Sequence, residues 1–284
     1  MHLDFQTLRQ YLVPQHGLSR LLGVLTNSHQ PKLKNWMIKK FIRRYHVDMS
    51  CALESNPEAY SNFNDFFTRK LQPDARSIVQ DKNAIACPVD GGISQIGTIT
   101  QGRIIQAKKF SYDVYHLLGG SLERARPFQS GKFATLYLAP KDYHRVHMPL
   151  AGELREMIYI PGKLFSVNTR TTQKVPNLFA RNERVVAIFD TEAGPMAMVL
   201  VGAMLVASIN TVWAGQVAPS TYREIHRRHY NPGEVRLECG EEMGHFQLGS
   251  TVILLFGKDR IEWNSDLQID QSVQLGQLLG QVKV

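Results

Sequence analysis

Near the C-terminus, a small residue is followed by a hydroxyl residue, at Gly249 and Ser250, and an apolar run begins soon afterwards at residues 252–256. A serine hydroxyl in this position can attack the carbonyl carbon of the residue before it. Glycine suits that attack because its carbonyl is unhindered and its backbone is adaptable. The reaction would cut the chain between Gly249 and Ser250. The alternative is that Ser250 only begins a buried strand, and the pair alone does not decide between the two.

Two other segments carry side chains suited to acid–base chemistry. Asp90 stands between Pro88 and two glycines, on a predicted tight turn that could hold it rigidly. His144 and His147 are close in sequence, and histidine titrates near neutral pH, so either could act as a general acid or base. A turn-capping aspartate and two structural histidines are the alternatives. No further cluster with metal-ligand spacing accompanies them, so we predict no metal site.

Asp90, His147 and Ser250 together supply the residue types of a hydrolytic triad. The chain lacks the G-x-S-x-G pattern that marks the nucleophile elbow of α/β-hydrolases. A serine hydrolase therefore stays open as an alternative, although no elbow is indicated.

The overall composition is that of a globular protein with a basic beginning. The 284 residues are 43% hydrophobic and 20% charged, which is ordinary. Cys51, Cys87 and Cys239 lie far apart, which favours a reducing compartment over a disulfide framework. Most of the net charge of +8 lies in residues 1–47, which contain eight lysines and arginines and one acid, Asp4. Such a basic segment can bind an anionic membrane, nucleic acid or an acidic protein partner.

The basic N-terminal segment predicts three short amphipathic helices. Apolar residues recur at roughly helical spacing in three groups: Leu3, Phe5, Leu8 and Leu12; Leu18, Leu21, Leu22 and Leu25; and Leu33, Trp36, Met37 and Phe41. Basic side chains around such faces are typical of a segment that lies on a membrane surface, and the alternative is ordinary packing on the main domain. No apolar run approaches the roughly 20 residues that span a bilayer, and no secretory signal is convincing.

From residue 48 onward, short apolar or alternating runs are separated by Gly, Pro and Asn, which predicts many strands. The runs occupy residues 93–99, 133–138, 185–189, 196–208, 252–256 and 273–282. Residues 196–208 would also suit a helix, and residues 62–76 predict a short helix that ends near Pro73. The expected fold class is α+β. Short amphipathic helices in residues 1–47 precede a mostly β catalytic domain of antiparallel or mixed sheets in residues 48–284.

Four segments, in order along the chain, carry a family resemblance. They read Phe-Phe-Thr-Arg-Lys-Leu (66–71), Cys-Pro-Val-Asp-Gly (87–91), Tyr-His-Arg-Val-His-Met-Pro (143–149) and Gly-Glu-Glu-Met-Gly-His-Phe-Gln-Leu-Gly-Ser-Thr (240–251). Together they resemble the phosphatidylserine decarboxylases, and the basic N-terminus is similar to the membrane-associating helices of the bacterial form. Two departures are small: Cys87 stands where serine is common, and Gly-Ser-Thr replaces the frequent Gly-Ser-Ser.

The resemblance implies a proenzyme that cuts itself. Ser250 would attack the Gly249 carbonyl, with His147 as the base and Asp90 holding and polarising that histidine. The chain would split into residues 1–249 and 250–284, which would stay associated. Ser250 would end as a covalent pyruvoyl group, after β-elimination and loss of ammonia.

The implied reaction is the decarboxylation of phosphatidylserine to phosphatidylethanolamine, through a Schiff base between the pyruvoyl group and the substrate amine. His144 is the candidate proton donor, and His147 is its competitor. The implied location is the cytoplasmic side of the cell membrane, bound peripherally to anionic lipid. A homodimer stays open, and no nucleic-acid partner is expected. The alternatives are a serine hydrolase that uses Asp90, His147 and Ser250, and a non-enzymatic peripheral lipid-binding protein; a decarboxylase of a soluble amino acid would not need the basic N-terminus.

Overall fold

The computed structural model describes residues 15–107, 110–203, 208–220, 222–247 and 250–283. The first predicted helix, residues 3–12, and the predicted cleavage position at Gly249 lie outside the described residues. The second and third predicted helices lie within them, and both are present.

Helix α1 covers Gln15–Thr26 and helix α2 covers Pro31–Tyr45. Pro31 suits the first turn of α2 because the N–H that proline lacks would have no intrahelical partner there. Helix α2 buries Ile38 and packs on an aromatic cluster. This aromatic cluster consists of Tyr60, Phe63, Phe66 and Phe67. One side of α2 therefore belongs to the main domain, while Trp36 on the same helix is 56% exposed.

The remaining helices are short. They are α3 (Phe63–Phe67), α4 (Val114–Leu117), α5 (Leu122–Ala125), a 3₁₀ turn (Arg126–Phe128), α6 (Thr169–Thr172) and α7 (Leu178–Arg181). Helix α3 begins at Asn62, whose side chain accepts a hydrogen bond from the backbone N–H of Asp65. Helix α3 ends well before Pro73, so the helix predicted in residues 62–76 is present but shorter. Its apolar side chains pack in the aromatic cluster rather than along a longer helical face.

The strands of the described residues are β1 (Ala84–Ala86), β2 (Gly91–Thr98), β3 (Arg103–Ala107), β4 (Phe110–Asp113), β5 (Lys132–Leu138), β6 (Arg145–His147), β7 (Gly152–Ile160), β8 (Arg184–Thr191), β9 (Gly194–Val201), β10 (Ser208–Thr211), β11 (Gly215–Ala218), β12 (His226–His229), β13 (Arg236–Leu237), β14 (Glu242–Gln247), β15 (Ser250–Phe256), β16 (Ile261–Trp263), β17 (Ser272–Val273) and β18 (Leu278–Val282). The run at 196–201 is thus a strand, and Ser208 begins another.

A large antiparallel sheet dominates, in the order β12-β7-β8-β9-β15-β5-β2-β17, with β13 also paired to β7. Strand β15 lies between β9 and β5, and all of its residues are buried. Val252 and Leu254 join one hydrophobic core, whereas Ile253 and Leu255 join the other. The continuous apolar run in the sequence reflects this burial on both faces of the sheet.

A second, four-stranded sheet has the order β11-β10-β14-β6 and packs on the Val252 side of the large sheet. Val146 of β6 and Phe246 of β14 join the same core as Val252. Two smaller sheets, β1-β18-β16 and β3-β4, complete the described strands. The expected α+β class, mostly β and antiparallel, is confirmed.

Candidate active site

Ser250 is the first residue of β15 and pairs with Leu138, the last residue of β5. Its side chain is fully buried, and its Oγ has no hydrogen-bond partner among the described residues. Buried hydroxyls are usually hydrogen-bonded, but those of Thr251 and Thr135 also lack a described partner, so this feature alone does not set Ser250 apart.

Thr251 is the neighbouring hydroxyl, and it faces the other way. Side chains alternate along a strand, so Ser250 shares a face with Val252, and Thr251 shares a face with Ile253. The Val252 face is the one against which β6 and β14 pack. Of the two hydroxyls, Ser250 therefore faces the sheet that carries His147.

Asp90 lies at the same end of the large sheet as Ser250. Strands β2, β5 and β15 are neighbours, with Gly92 opposite Tyr137 and Tyr137 opposite Thr251. Asp90 immediately precedes β2, two strands from Ser250, so the spacing of strands puts the two backbones about 10 Å apart. Gly91 permits this close pairing, because a Cβ there would stand 2.4 Å from the Tyr137 carbonyl oxygen.

The Asp90 carboxylate is held by an arginine that the sequence did not single out. Nε of Arg76 donates to Oδ1 at 3.0 Å, and Nη2 donates to Oδ2 at 2.5 Å. The backbone N–H of Leu275 donates to Oδ1 at 2.9 Å. This fork is a strong, orienting arrangement, and the hydrogen bond to Asp90 raises the pKa of Arg76 above its ordinary value.

His147 ends β6, and its backbone N–H donates to the carbonyl of Pro88, two residues before Asp90. Its ring Nδ1 lies 2.8 Å from the Gly240 carbonyl oxygen, and Nε2 lies 3.1 Å from the Tyr143 hydroxyl. A carbonyl only accepts, so Nδ1 carries the proton and Nε2 accepts from Tyr143. Burial lowers the pKa of His147, which favours the neutral ring that a general base requires.

The expected contact between Asp90 and His147 is not among the hydrogen bonds of the described residues. Arg76 donates to the Asp90 carboxylate, and the contact at Nδ1 of His147 is the Gly240 carbonyl oxygen. Asp90 acts on His147 only at longer range, where its negative charge favours the protonated ring.

His144 is fully buried just before β6. Its Nδ1 lies 2.8 Å from the carbonyl oxygen of Asp142, and its Nε2 has no partner among the described residues. The rings of His144 and Phe67 are 4.1 Å apart. Burial lowers the pKa of His144 to about 3, so the ring is neutral near pH 7 and must first take up a proton before it can donate one at Nε2.

The chain topology brings His144 and Ser250 towards the same place. The loop of residues 139–144 starts beside Leu138, the strand partner of Ser250. It ends at His144, whose carbonyl accepts from the backbone N–H of Phe246, four residues before Ser250. Two buried polar atoms without described partners, Ser250 Oγ and His144 Nε2, thus belong to adjoining segments.

A cavity of about 430 Å³ opens at this end of the sheet, and Asp90, Tyr137 and Tyr143 line it. Arg76 and Tyr143 are the residues that the sequence reasoning missed. Tyr143 stands next to His144 in a quoted motif and could have been noticed there. The sequence does not indicate a role for Arg76, because it is not adjacent to Asp90 in the chain. Only the fold brings the two side chains together.

Comparisons with known proteins show which family the chain is similar to. The family model for phosphatidylserine decarboxylase matches residues 63–281, and a second model, described as PSD, matches residues 5–46. A phosphatidylserine decarboxylase proenzyme of Hahella chejuensis is 55% identical over 275 residues, covering 97% of this chain and 93% of that protein. Proteins with the same name from Bordetella pertussis and Azotobacter vinelandii are 56% and 55% identical, covering 95% and 98% of this chain and 92% and 98% of their own lengths.

The first family match contains Asp90, His144, His147 and Ser250, and the full-length relatives cover nearly the whole chain. With similarity of this extent, the chain belongs to the phosphatidylserine decarboxylase family.

Proposed function

We propose that this protein decarboxylates phosphatidylserine to phosphatidylethanolamine and is made as a proenzyme that cuts itself at Ser250. One observation carries the proposal: the buried hydroxyl of Ser250 lies at the start of a central strand, on the face against which the sheet that carries His147 packs. The name of the relatives, phosphatidylserine decarboxylase proenzyme, supports both parts.

In the self-cleavage, Ser250 Oγ attacks the carbonyl carbon of Gly249, and the peptide bond is replaced by an ester. His147 is the base, because its Nε2 lone pair is the one that the Gly240 contact leaves unprotonated. The hydroxyl of Tyr143 occupies that lone pair and must rotate away or pass the proton on. β-Elimination then releases the carboxylate of Gly249 and leaves dehydroalanine, which water converts to a pyruvoyl group with loss of ammonia.

The surroundings of residue 250 suit a group that must stay buried after the cut. Strand β15 is held by β5 and β9 on its two sides, so its new N-terminus remains in the core. Strand β17 pairs with β2, and β18 pairs with β1. Residues 250–284 would therefore remain associated with residues 1–249 after the bond between them is broken.

The pyruvoyl group, once formed, supplies an electron-withdrawing carbonyl for the loss of CO2. The chain's own contribution is to exclude water and to place a proton. His144 is the proposed proton donor to the product carbon, because its Nε2 is buried and has no described partner. Since its pKa lies far below neutral, the ring would be reprotonated within each turnover rather than stay charged.

Residues 1–47 are the proposed membrane-associating segment, and residues 48–284 are the proposed catalytic domain. Helices α1 and α2 keep Val24, Leu25 and Trp36 exposed, and basic side chains such as Arg43 lie nearby in sequence. Among the described helices, none is long and apolar enough to cross a membrane. The exposed apolar side chains and the basic residues of this segment support our proposal of peripheral binding to the anionic, cytoplasmic side of the cell membrane.

Intact-mass analysis tests the proposal. The purified protein should appear as two fragments divided between residues 249 and 250, the smaller one lacking a free amine, and it should release CO2 from phosphatidylserine. Ser250→Ala should give one uncut, inactive chain. Thr251→Val is the matched control, because its side chain faces the other core, and it should cut normally. A single unmodified chain that releases CO2 would contradict the pyruvoyl mechanism. An uncut chain labelled at Ser250 by a fluorophosphonate would favour the serine hydrolase.

A further inference from the structure

Arg69 is a buried arginine whose charge has no partner of opposite sign among the ion pairs of the described residues. It is 5% exposed. Its Nη2 donates to the Lys141 carbonyl at 3.1 Å, and its Nε has no described partner. Its guanidinium carbon lies 5.6 Å from the centre of the Phe66 ring. A single bond to a neutral carbonyl does not require a guanidinium charge.

Keeping a cation in this position is unfavourable. A buried charge that is not paired loses more hydration than it regains, and burial correspondingly lowers the pKa of Arg69 below its ordinary value. Arg69 lines the 430 Å³ cavity beside the candidate active site. A buried guanidinium with a free N–H donor at the wall of a cavity is suited to bind an anion there.

The negative charges of Asp90 and Asp142 favour the charged form of Arg69, but the acids that line the cavity are hydrogen-bonded to other donors and none is ion-paired to Arg69 among the described residues. Asp90 is held by Arg76. Asp142 accepts from the backbone N–H of Ala139, and burial raises its pKa. Asp48 lies at the exposed rim, where it accepts from the backbone N–H of Ser50. Lys141 also lines the cavity but is exposed, so among the described lining residues Arg69 is the buried cation without an ion pair.

The cavity lies at the end of the large sheet where β15 begins, although Ser250, His144 and His147 are not among the residues that line it. Tyr137 and Ala139 line it, and they flank Leu138, the strand partner of Ser250. On the other side, Arg69 follows Phe67 closely, and the Phe67 ring contacts His144. If a small molecule is joined to residue 250 through its amine, any part of it that reaches this cavity would lie beside Arg69.

We propose that Arg69 binds the phosphodiester of the phosphatidylserine head group. This inference rests on the proposed function. The substrate carries two anionic groups, a carboxylate and a phosphodiester. An ion pair to the carboxylate would stabilise the reactant more than the transition state, because that charge is lost as CO2 leaves. The phosphodiester keeps its charge throughout, and a guanidinium matches two of its oxygens.

The test removes the charge from each partner in turn. Short-chain phosphatidylserine and its methyl phosphotriester, which lacks the phosphate charge but keeps the carboxylate, are compared as substrates of the wild-type protein, Arg69→Gln and Arg69→Lys. Arg69→Gln should raise KM for the diester about 10- to 100-fold with kcat nearly unchanged, because binding lost equally in ground and transition states appears in KM. The wild type and Arg69→Gln should have the same KM and kcat for the triester. Arg69→Lys keeps the positive charge but loses the two-pronged guanidinium. Its KM for the diester should lie between those of the wild type and Arg69→Gln. Lys70→Gln, an exposed neighbour, is the control and should match the wild type.

A second measurement does not depend on turnover. In the Ser250→Ala background, calorimetric binding of the diester should weaken by a similar factor when Arg69→Gln is added, and binding of the triester should not change. Equal losses for diester and triester, or a fall in kcat alone, would overturn the inference. A wild-type protein that neither splits nor releases CO2 would instead remove the proposed function, so the two failures are distinct.

Discussion

The hydroxyl of Tyr143 lies 3.1 Å from Nε2 of His147, on a ring whose Nδ1 lies 2.8 Å from the Gly240 carbonyl oxygen. The two contacts together fix which nitrogen is protonated, because a carbonyl cannot donate. They also hold the ring from both sides. The candidate base is thus prepared in its neutral form by a backbone carbonyl and a phenol, without a carboxylate in contact with it.

Tyr143→Phe should slow self-cleavage and shift its pH dependence upward. The tyrosine donates to neutral His147, so its removal destabilises the neutral ring and raises the pKa of His147. One lost hydrogen bond of about 1 kcal/mol corresponds to a rate that is lower by about fivefold at pH values below the pKa of His147, where most of the ring is protonated, and to little change near pH 7. The check is the rate at which the fragments appear across pH, with Tyr222→Phe as an exposed control. An unchanged midpoint would show that Tyr143 does not act through His147.

The burial of His144 predicts how the uncut protein loses stability in acid. Its folded pKa is about 3, against an ordinary value of 6.5. Below about pH 6.5, His144 therefore binds a proton in the unfolded chain but stays neutral in the folded chain. The free energy of unfolding falls as the pH drops towards about 3. Between about pH 7 and about pH 5, this one ring should remove about 2 kcal/mol.

Denaturant unfolding in the Ser250→Ala background measures the effect. Between about pH 7 and about pH 5, the free energy of unfolding of His144→Gln should fall by about 2 kcal/mol less than that of the Ser250→Ala parent. This difference should not depend on how stable the variant is near pH 7. His226→Gln, on the exposed strand β12, should follow the parent. If both variants lose stability in parallel with the parent, His144 does not control the acid sensitivity.

The strand arrangement could largely be predicted from the sequence, because burial on both faces of a central strand leaves a continuous apolar run. Residues 252–256 show this directly, and strand β15 begins only two residues earlier, at Ser250. Helix α2 was also predictable from its spacing. What the periodicity did not show is that α2 packs on the aromatic cluster through Ile38, because nothing local to that helix names its partner.

The site was predictable as a set of residue types and less so as a set of contacts. The sequence points to Asp90, His144, His147 and Ser250, and the fold brings Asp90 and Ser250 to one end of the large sheet. The pairing of Asp90 with Arg76 was not foreseen. A contact of this kind depends on where two loops meet, and local spacing carries no information about that.

Arg76→Gln should destabilise the protein and slow its self-cleavage, because it releases Asp90 from the fork that holds it. The pair is mostly buried, with side chains 16% and 11% exposed, so the loss should be about 2 kcal/mol. Arg155→Gln breaks an exposed pair with Asp190 and should lose less than about 1 kcal/mol. Unfolding in the Ser250→Ala background gives the stabilities, and fragment formation gives the rates. An Arg76→Gln protein that cuts as fast as the wild type would show that the position of Asp90 is unimportant for the cut.

Exposed apolar side chains on the N-terminal helices should govern binding to membranes. Val24 is 71% exposed on α1 and Trp36 is 56% exposed on α2, where Nζ of Lys40 lies 4.6 Å from the centre of the indole ring. An amphipathic surface of this kind binds through apolar burial together with attraction to anionic lipid. Val24→Ser should lower partitioning onto phosphatidylglycerol-containing vesicles about tenfold, and Trp36→Ala should lower it at least as much, since about 1.5 kcal/mol of apolar burial is lost for a valine.

Leu122→Ser is the matched control for this effect, because Leu122 is 70% exposed on α5 in the main domain. Vesicle co-sedimentation at low and high salt measures the partitioning, and all three variants should still split at Ser250, since none of these side chains touches the candidate site. Binding of the wild type should weaken as salt rises, because screening acts on the basic side chains, whereas the loss caused by Val24→Ser should persist at both salt concentrations. Equal binding by Val24→Ser, Trp36→Ala and Leu122→Ser would mean that the apolar faces of α1 and α2 do not contact the lipid, and that charge alone draws this protein to its substrate.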